Sequence, residues 1–146
     1  MTRLALTPVQ GADPGLKVAL AASGLPIEDL AYTDRSFFCA TNEDGEAIGY
    51  SGIEACGDDA LLRSVVVLPE HRGQELGALL VRETLAFVGE HAAVYLATTS
   101  AASFFEKLGF EAVNRADVPA DVMATRQLSG ICPASATVMK LTRSRT

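Results

Sequence analysis

Apolar positions recur along the chain in two spacings, one helical and one alternating, and their order lays out the elements. Leu16, Val18, Ala19, Leu20 and Ala22 follow Asp13-Pro14 and stop at Gly24. Proline at the first helical position and glycine just past the last predict a helix there. Leu25 to Leu30 reads as a second, short helical turn. Ser36 to Thr41 predicts a strand, Glu43-Asp44-Gly45-Glu46 a hairpin turn in which glycine takes the positive φ, and Ala47 to Cys56 a second strand. After Gly57-Asp58-Asp59 a third strand runs from Ala60 to Leu68 and stops at Pro69. Its nearly unbroken apolar run suits a strand covered on both faces. A long helix follows, with Leu76, Leu79, Leu80, Phe87 and Val88 on one face and Arg82, Glu83 and Glu90 off it. Ala93 to Thr98 predicts a strand, Ala101 to Leu108 a short helix stopped by Gly109, and Phe110 to Val113 a strand. Pro119 to Thr125 suggests a helical turn and Ala136 to Leu141 a last strand.

Helices, then an antiparallel meander, then strands alternating with helices make a mixed α/β sheet with helices on both faces. A length of 146 residues suits one domain, residues 1–146. Hydrophobic residues make up 49% and charged residues 21%, which excludes a disordered chain. No apolar run approaches the ~18 residues of a membrane helix, and the first residues lack the apolar core of a signal peptide. The formal charge of -6 argues against a long nucleic-acid groove or a basic membrane contact. A cytoplasmic protein is expected, with neither nucleic acid nor membrane as partner. Cys39, Cys56 and Cys132 form no Cys-x-x-Cys pair. Reduced, mostly buried thiols are the plain expectation; a three-thiolate site for a soft metal or trivalent arsenic is the sharper alternative, and no metal site is assigned.

The stretch richest in chemistry is strand, Pro69, Arg72-Gly73-Gln74, helix. Backbone N–H groups at a helix start, with the helix dipole behind them, attract an anion. Gly73 and Gly77 admit a diphosphate closely, and Arg72 adds a positive charge beside it. An ordinary strand-to-helix turn containing glycine is the alternative.

Arg72-Gly73-Gln74-Glu75-Leu76-Gly77 resembles the phosphate loop Gln/Arg-x-x-Gly-x-Gly/Ala of the GNAT superfamily of acetyl-CoA-dependent N-acyltransferases. Ala101-Ala102-Ser103-Phe104-Phe105-Glu106-Lys107-Leu108-Gly109-Phe110 resembles that family's Ala-x-x-x-Tyr-Glu-Lys-x-Gly-Phe helix. The likeness spans roughly residues 35 to 115. It implies a single-domain GNAT fold, a mixed, mostly antiparallel sheet with a splayed central strand pair. It further implies that backbone around Val66, Val67 and Leu68 holds the pantetheine arm and polarises the thioester carbonyl, with Val67 at the oxyanion position. The loop Arg72-Gly73-Gln74-Glu75-Leu76-Gly77-Ala78 would hold the pyrophosphate of acetyl-CoA, and Thr98 lies where many members carry a CoA-contacting Asn. Two positions depart from the pattern. Glu75 replaces the middle glycine and brings a carboxylate near a pyrophosphate; Phe105 replaces the Tyr that often protonates the leaving thiolate.

The later part of the chain, from Tyr95-Leu96-Ala97-Thr98-Thr99 to Cys132-Pro133-Ala134-Ser135, resembles two groups. One is the acetyltransferase domain of N-acetylglutamate synthases. The other is a small arsenic-resistance N-acetyltransferase family, which Leu61-Leu62-Arg63-Ser64 also resembles. Both imply a small amine next to a carboxylate or arsonate-like anion, and they leave a homodimer open. Arginine is shaped for such an anion, and Arg63 and Arg126 are the candidates. Glu54 is the candidate general base, directly or through a water. Each has a plainer alternative: Arg63 as a solvated or paired strand residue, Arg126 as a surface charge, Glu54 as a solvent-facing carboxylate. Residues 28 to 59 hold nine acids and one base, Arg35, which favours a cationic acceptor such as a polyamine if they border the groove. A third possibility is a non-catalytic module that keeps the fold and senses CoA or an arsenical.

Overall fold

The computed structural model describes residues 4–25, 27, 35–57, 59–71, 76–88, 93–99, 101–123 and 136–141. The helical turn expected over Leu25 to Leu30 falls largely outside them, as do Arg72 to Glu75 and Arg126. Seven strands form one sheet: β1 (Ala5–Val9), β2 (Arg35–Thr41), β3 (Ala47–Cys56), β4 (Asp59–Val67), β5 (Val94–Thr98), β6 (Glu111–Ala112) and β7 (Thr137–Leu141), in the order β1-β2-β3-β4-β5-β7-β6. Helices α1 (Pro14–Ala22), α2 (Leu76–Leu85), α3 (Ala102–Glu106) and α4 (Ala120–Met123) lie between them. β4 and β5 run parallel, whereas β1 with β2, β2 with β3, β5 with β7 and β6 with β7 are antiparallel. This is the expected open, mixed α/β sheet. Among the described residues the parallel register joins Ala60 with Val94 and Leu61 with Tyr95, while β4 continues to Val67 and β5 to Thr98.

The strand boundaries follow the apolar runs closely, with β3 as expected from end to end. β1 was not expected. Its sequence, Ala-Leu-Thr-Pro-Val, carries a proline that cannot donate to a ladder, and only an outermost strand tolerates one. α2 is shorter than the pattern suggested, ending at Leu85, with Phe87 and Val88 in the turn beyond it.

The chain falls into two compact units. The first comprises Met1–Glu54 with Arg63–Val88. Asp13 caps α1, its carboxylate accepting the Leu16 N–H at 3.0 Å. Leu16, Ala19 and Leu20 of that helix pack on Phe37, Tyr50 and Val66, while Leu76 and Leu80 of α2 pack with Leu4, Ala40 and Ile48. Phe37 and Ala40 lie on opposite sides of β2, so the two helices cover opposite faces of the same strands. A register shift between Ala40 and Thr41 makes Ile48 an extra residue in β3 and keeps Tyr50, Gly52 and Glu54 on the α1 face. The second unit, Ala55–Leu62 with Gly89–Thr146, is organised around Cys56, Leu61, Tyr95, Val118, Val122 and Val138.

Candidate active site

The second half of β4 sets the geometry of the site. Ser64 has φ 59°, the only positive φ at a non-glycine among the described residues. Its consequence is visible in the side chains on either side of it. Arg63 places its guanidinium 5.7 Å over the Phe37 ring, and Val66 packs in the cluster that contains Phe37. Val65 and Val67 pack against the opposite cluster under α2. Strict alternation would put Arg63 and Val66 on opposite faces. The left-handed residue inserts one step, and everything after it changes face.

The same step fixes which peptide groups point where. The Leu68 N–H donates to the Ile48 carbonyl at 2.8 Å. A Cβ on Gly49 would fall on the Val66 carbonyl oxygen, so that carbonyl is turned into β3 as well. Successive residues of a strand direct their N–H and C=O to opposite edges. The Val67 peptide groups are therefore directed away from β3. Of the three backbone positions expected to meet the pantetheine arm, Leu68 has its N–H engaged by Ile48.

Glu54 and Arg63, expected as a base and an anion-binding residue, are brought together and pair with each other. Arg63 Nη1 donates to Glu54 Oε1 at 3.0 Å, and Arg63 Nε donates to Ser64 Oγ at 3.3 Å. Arg35 joins them, its Nη2 lying 3.4 Å from Glu54 Oε2. All three side chains are at most 6% exposed. Glu54 is thus a buried, doubly paired carboxylate instead of a solvent-facing one. Arg35 was not singled out from the sequence; only the register, which sets it opposite Glu54, reveals it.

Beyond β4, Pro69–His71 form a 3-10 turn closed by the His71 N–H to the Leu68 carbonyl at 2.9 Å. Leu76 opens α2 from a buried position, and Gly77 and Ala78 are half-buried in its first turn. Arg72, Gly73, Gln74 and Glu75 of the expected phosphate loop lie outside the described residues. In the second unit, Thr98 ends β5 and its Oγ1 accepts the Ala101 N–H at 3.0 Å, which fixes the turn into α3. Phe105 is buried, its ring edge-on to Phe104 at 5.0 Å and to Phe110 at 5.6 Å. It is a packing residue there.

A second polar group on the α1 face was also missed. The Tyr50 hydroxyl sits against Gly15, where any Cβ would collide with it, and donates to the Cys39 sulfur. Burial pushes both groups above their ordinary values of 9.0 and 10.0, and the nearby Asp13 carboxylate adds to the rise. The unfolded chain therefore releases these protons first. Stability from this pair is full below pH 9.0 and should fall as pH rises past it. Urea midpoints taken below pH 9.0 and above pH 10.0 test this, with Tyr50→Phe/Cys39→Ser as the flattened control. A wild-type slope no steeper than the control's would contradict it. Cys56 is buried in the second unit, and Cys132 is outside the described residues.

Residues 33–112 match the family model for the acetyltransferase (GNAT) domain, more than half of the 146-residue chain. A Bacillus subtilis protein named as a ribosomal protein bS18 alanine N-acetyltransferase is 32% identical over 62 residues, covering 42% of this chain and 41% of that protein. The match thus spans about two fifths of that relative's length. Among solved structures, an acyl-CoA N-acyltransferase from Klebsiella pneumoniae superposes with a TM-score of 0.71 at 20% identity, covering 97% of this chain and 98% of that one. N-acetylglutamate synthase from Neisseria gonorrhoeae, solved with coenzyme A and N-acetyl-glutamate, superposes with a TM-score of 0.74 at 13% identity, covering 99% of this chain and 36% of that one. The match over residues 33–112 identifies the chain as a member of the GNAT acetyltransferase domain family.

Proposed function

We propose that the chain transfers acetyl from acetyl-CoA to the α-amine of a small amino-acid-like acceptor. The observation that carries the transfer step is the match of residues 33–112 to the acetyltransferase (GNAT) domain. A backbone N–H on β4 donates to the thioester oxygen as charge develops on it, while the neutral amine attacks the carbonyl carbon and the thiolate leaves. Phe105 has no proton to give, and a thiolate departs without one.

The α-amine draws support from two names, and the small acceptor with a carboxylate from the first of them alone. N-acetylglutamate carries its acetyl on an α-nitrogen, and alanine has no nitrogen other than its α-nitrogen. Arg126 is the arginine we assign to the acceptor's carboxylate, by two parallel hydrogen bonds. A contact to the acceptor from Arg63, or base catalysis by Glu54, would require their ion pair to open. The acid-rich stretch gives a polyamine acceptor less support than its composition suggested. Glu54 is paired, Asp59 accepts the Ala93 N–H at 3.2 Å, and Glu46 accepts from Asn42 within the hairpin at 3.1 Å.

Two measurements test the proposal. Acetyl-CoA should raise the melting temperature by preferential binding to the folded chain. Arg72→Ala should weaken that shift, and Glu75→Gly should strengthen it by removing a carboxylate from the pyrophosphate. Release of CoA thiol should then be faster with L-glutamate, L-alanine or an arsonate-bearing amino acid than with spermidine. Thermal stabilisation without thiol release from any amine would point to a sensing module, and preferential acetylation of spermidine would overturn the acceptor class.

A further inference from the structure

We propose, resting on the pyrophosphate reading of the α2 N-terminus, that Ser51 and Thr84 are positioning residues: they set where α2 stands along the sheet, and thereby how its first turn meets the diphosphate of acetyl-CoA. α2 is seated by a stripe of residues one turn apart. Leu76 and Leu80 pack with Leu4, Ala40 and Ile48, and Leu80 Cδ2 lies 3.3 Å from where a Cβ on Gly49 would stand. Thr84 is the next step in that stripe and its polar member. Phe87 follows in the turn beyond the helix, its ring stacked on Phe38 at 4.6 Å. Thr84 and Ser51 are both wholly buried, and their hydroxyl oxygens lie 2.7 Å apart. Ser51 is also the cross-strand partner of Phe38 in the β2–β3 register, so the polar and the aromatic contact fall side by side on the sheet.

The hydroxyl chain has a direction. Thr84 Oγ1 also lies 2.7 Å from the Leu80 carbonyl oxygen. One hydroxyl carries one proton, so both contacts are satisfied when Ser51 donates to Thr84 and Thr84 donates to the Leu80 carbonyl. Apolar residues at positions 51 and 84 would avoid the desolvation of two hydroxyls. What the pair adds is geometry. An apolar stripe tolerates small displacements along the helix axis, whereas a buried hydrogen bond holds to a narrow range of length and angle. A single polar residue in the apolar seam of a coiled coil fixes register in the same way. α2 is one continuous helix from Leu76 to Leu85. A shift at Thr84 is therefore carried about two turns back to Leu76, Gly77 and Ala78, whose N–H groups have no partner within the helix and would meet the diphosphate.

The full chain is titrated with acetyl-CoA and with S-acetylpantetheine, which lacks the diphosphate, and amide resonances report both affinities even where binding is weak. Ser51→Ala is the main variant, because Thr84 keeps the Leu80 carbonyl as its acceptor and no buried donor is orphaned. Its affinity for acetyl-CoA should fall about tenfold, the scale of one lost hydrogen bond to a charged group, while its affinity for S-acetylpantetheine stays as in wild type. Thr84→Ser, which keeps the hydroxyl, should bind both probes as wild type does. A merely structural role predicts a lower melting temperature with both affinities changed alike or not at all. In the ligand-free protein, the nuclear Overhauser contact between the Leu80 methyls and the Gly49 α-protons should be strong in wild type and in Thr84→Ser and weaker in Ser51→Ala. Should Ser51→Ala not fold, Ser51→Ala/Thr84→Val, which replaces both partners by apolar groups, carries the same comparison. An unchanged contact, or an unchanged ratio of the two affinities, overturns the proposal. A wild type that binds the two probes alike would instead sink the pyrophosphate reading, and the Overhauser contact would still decide whether Ser51 and Thr84 set the helix.

Discussion

Gly49→Ala should lower kcat/KM by about a hundredfold while leaving the chain folded. A Cβ at this position meets the Val66 carbonyl oxygen head-on and lies within 3.2 Å of Val67 Cα and 3.3 Å of Leu80 Cδ2. Two of those three atoms are backbone, so the strain cannot be relieved by turning a side chain. β4 must move away from β3 just where Val67, the proposed oxyanion position, lies. Overpacking of this kind costs about 1–3 kcal/mol of stability, which a domain with an intact core can absorb. Displacing a catalytic donor by about an ångström costs far more in rate than in stability. Steady-state thiol release and a thermal melt, made on the same preparation, separate the two. Full activity in Gly49→Ala would mean that the Val66 carbonyl is not held against β3, and the deduced direction of Val67 would fall with it.

The second large effect is on stability. Glu54→Ala should cost about 3–5 kcal/mol, because it removes the carboxylate that two buried guanidiniums share. Glu54→Leu combined with Arg63→Met should recover part of that loss, since an apolar pair of similar volume avoids the desolvation of the charges. Urea unfolding supplies the free energies. A loss below about 1 kcal/mol for Glu54→Ala is the range of solvent-screened surface pairs, and would mean that the triad is open to water.

Much of the fold could be read from the residues because its strands are bounded by turn chemistry. Gly45 and Gly57 both take positive φ, at 80° and 64°, and each sits in a turn the sequence had marked. α1 begins where Asp13-Pro14 said it should. β1 escaped notice because pairing with β2, not its own pattern, makes it a strand. The site was less legible. Residue types singled out Glu54 as a candidate base and Arg63 as a candidate anion-binding residue, yet their pairing depends on a register that one sequence does not print. The clue to Ser64 was present as a polar residue interrupting the run from Leu61 to Leu68. Nothing local requires a left-handed serine. Thr98 and Phe105 show the opposite limit: a motif position was recognised, while its hydrogen bond or packing was set by neighbours in the turn.

The outermost strands have a bearing on how the protein behaves when crowded. β1 is five residues long with Pro8 near its end, and β6 is two residues long. An open sheet invites a foreign strand to add to its border, the first step toward amorphous or fibrillar aggregates. Proline withholds an N–H from any such newcomer, and a two-residue strand offers too short a template to seat one. Concentrated solutions of this chain should therefore resist strand-by-strand association, and any self-assembly would have to proceed through side-chain surfaces rather than by continuing the sheet.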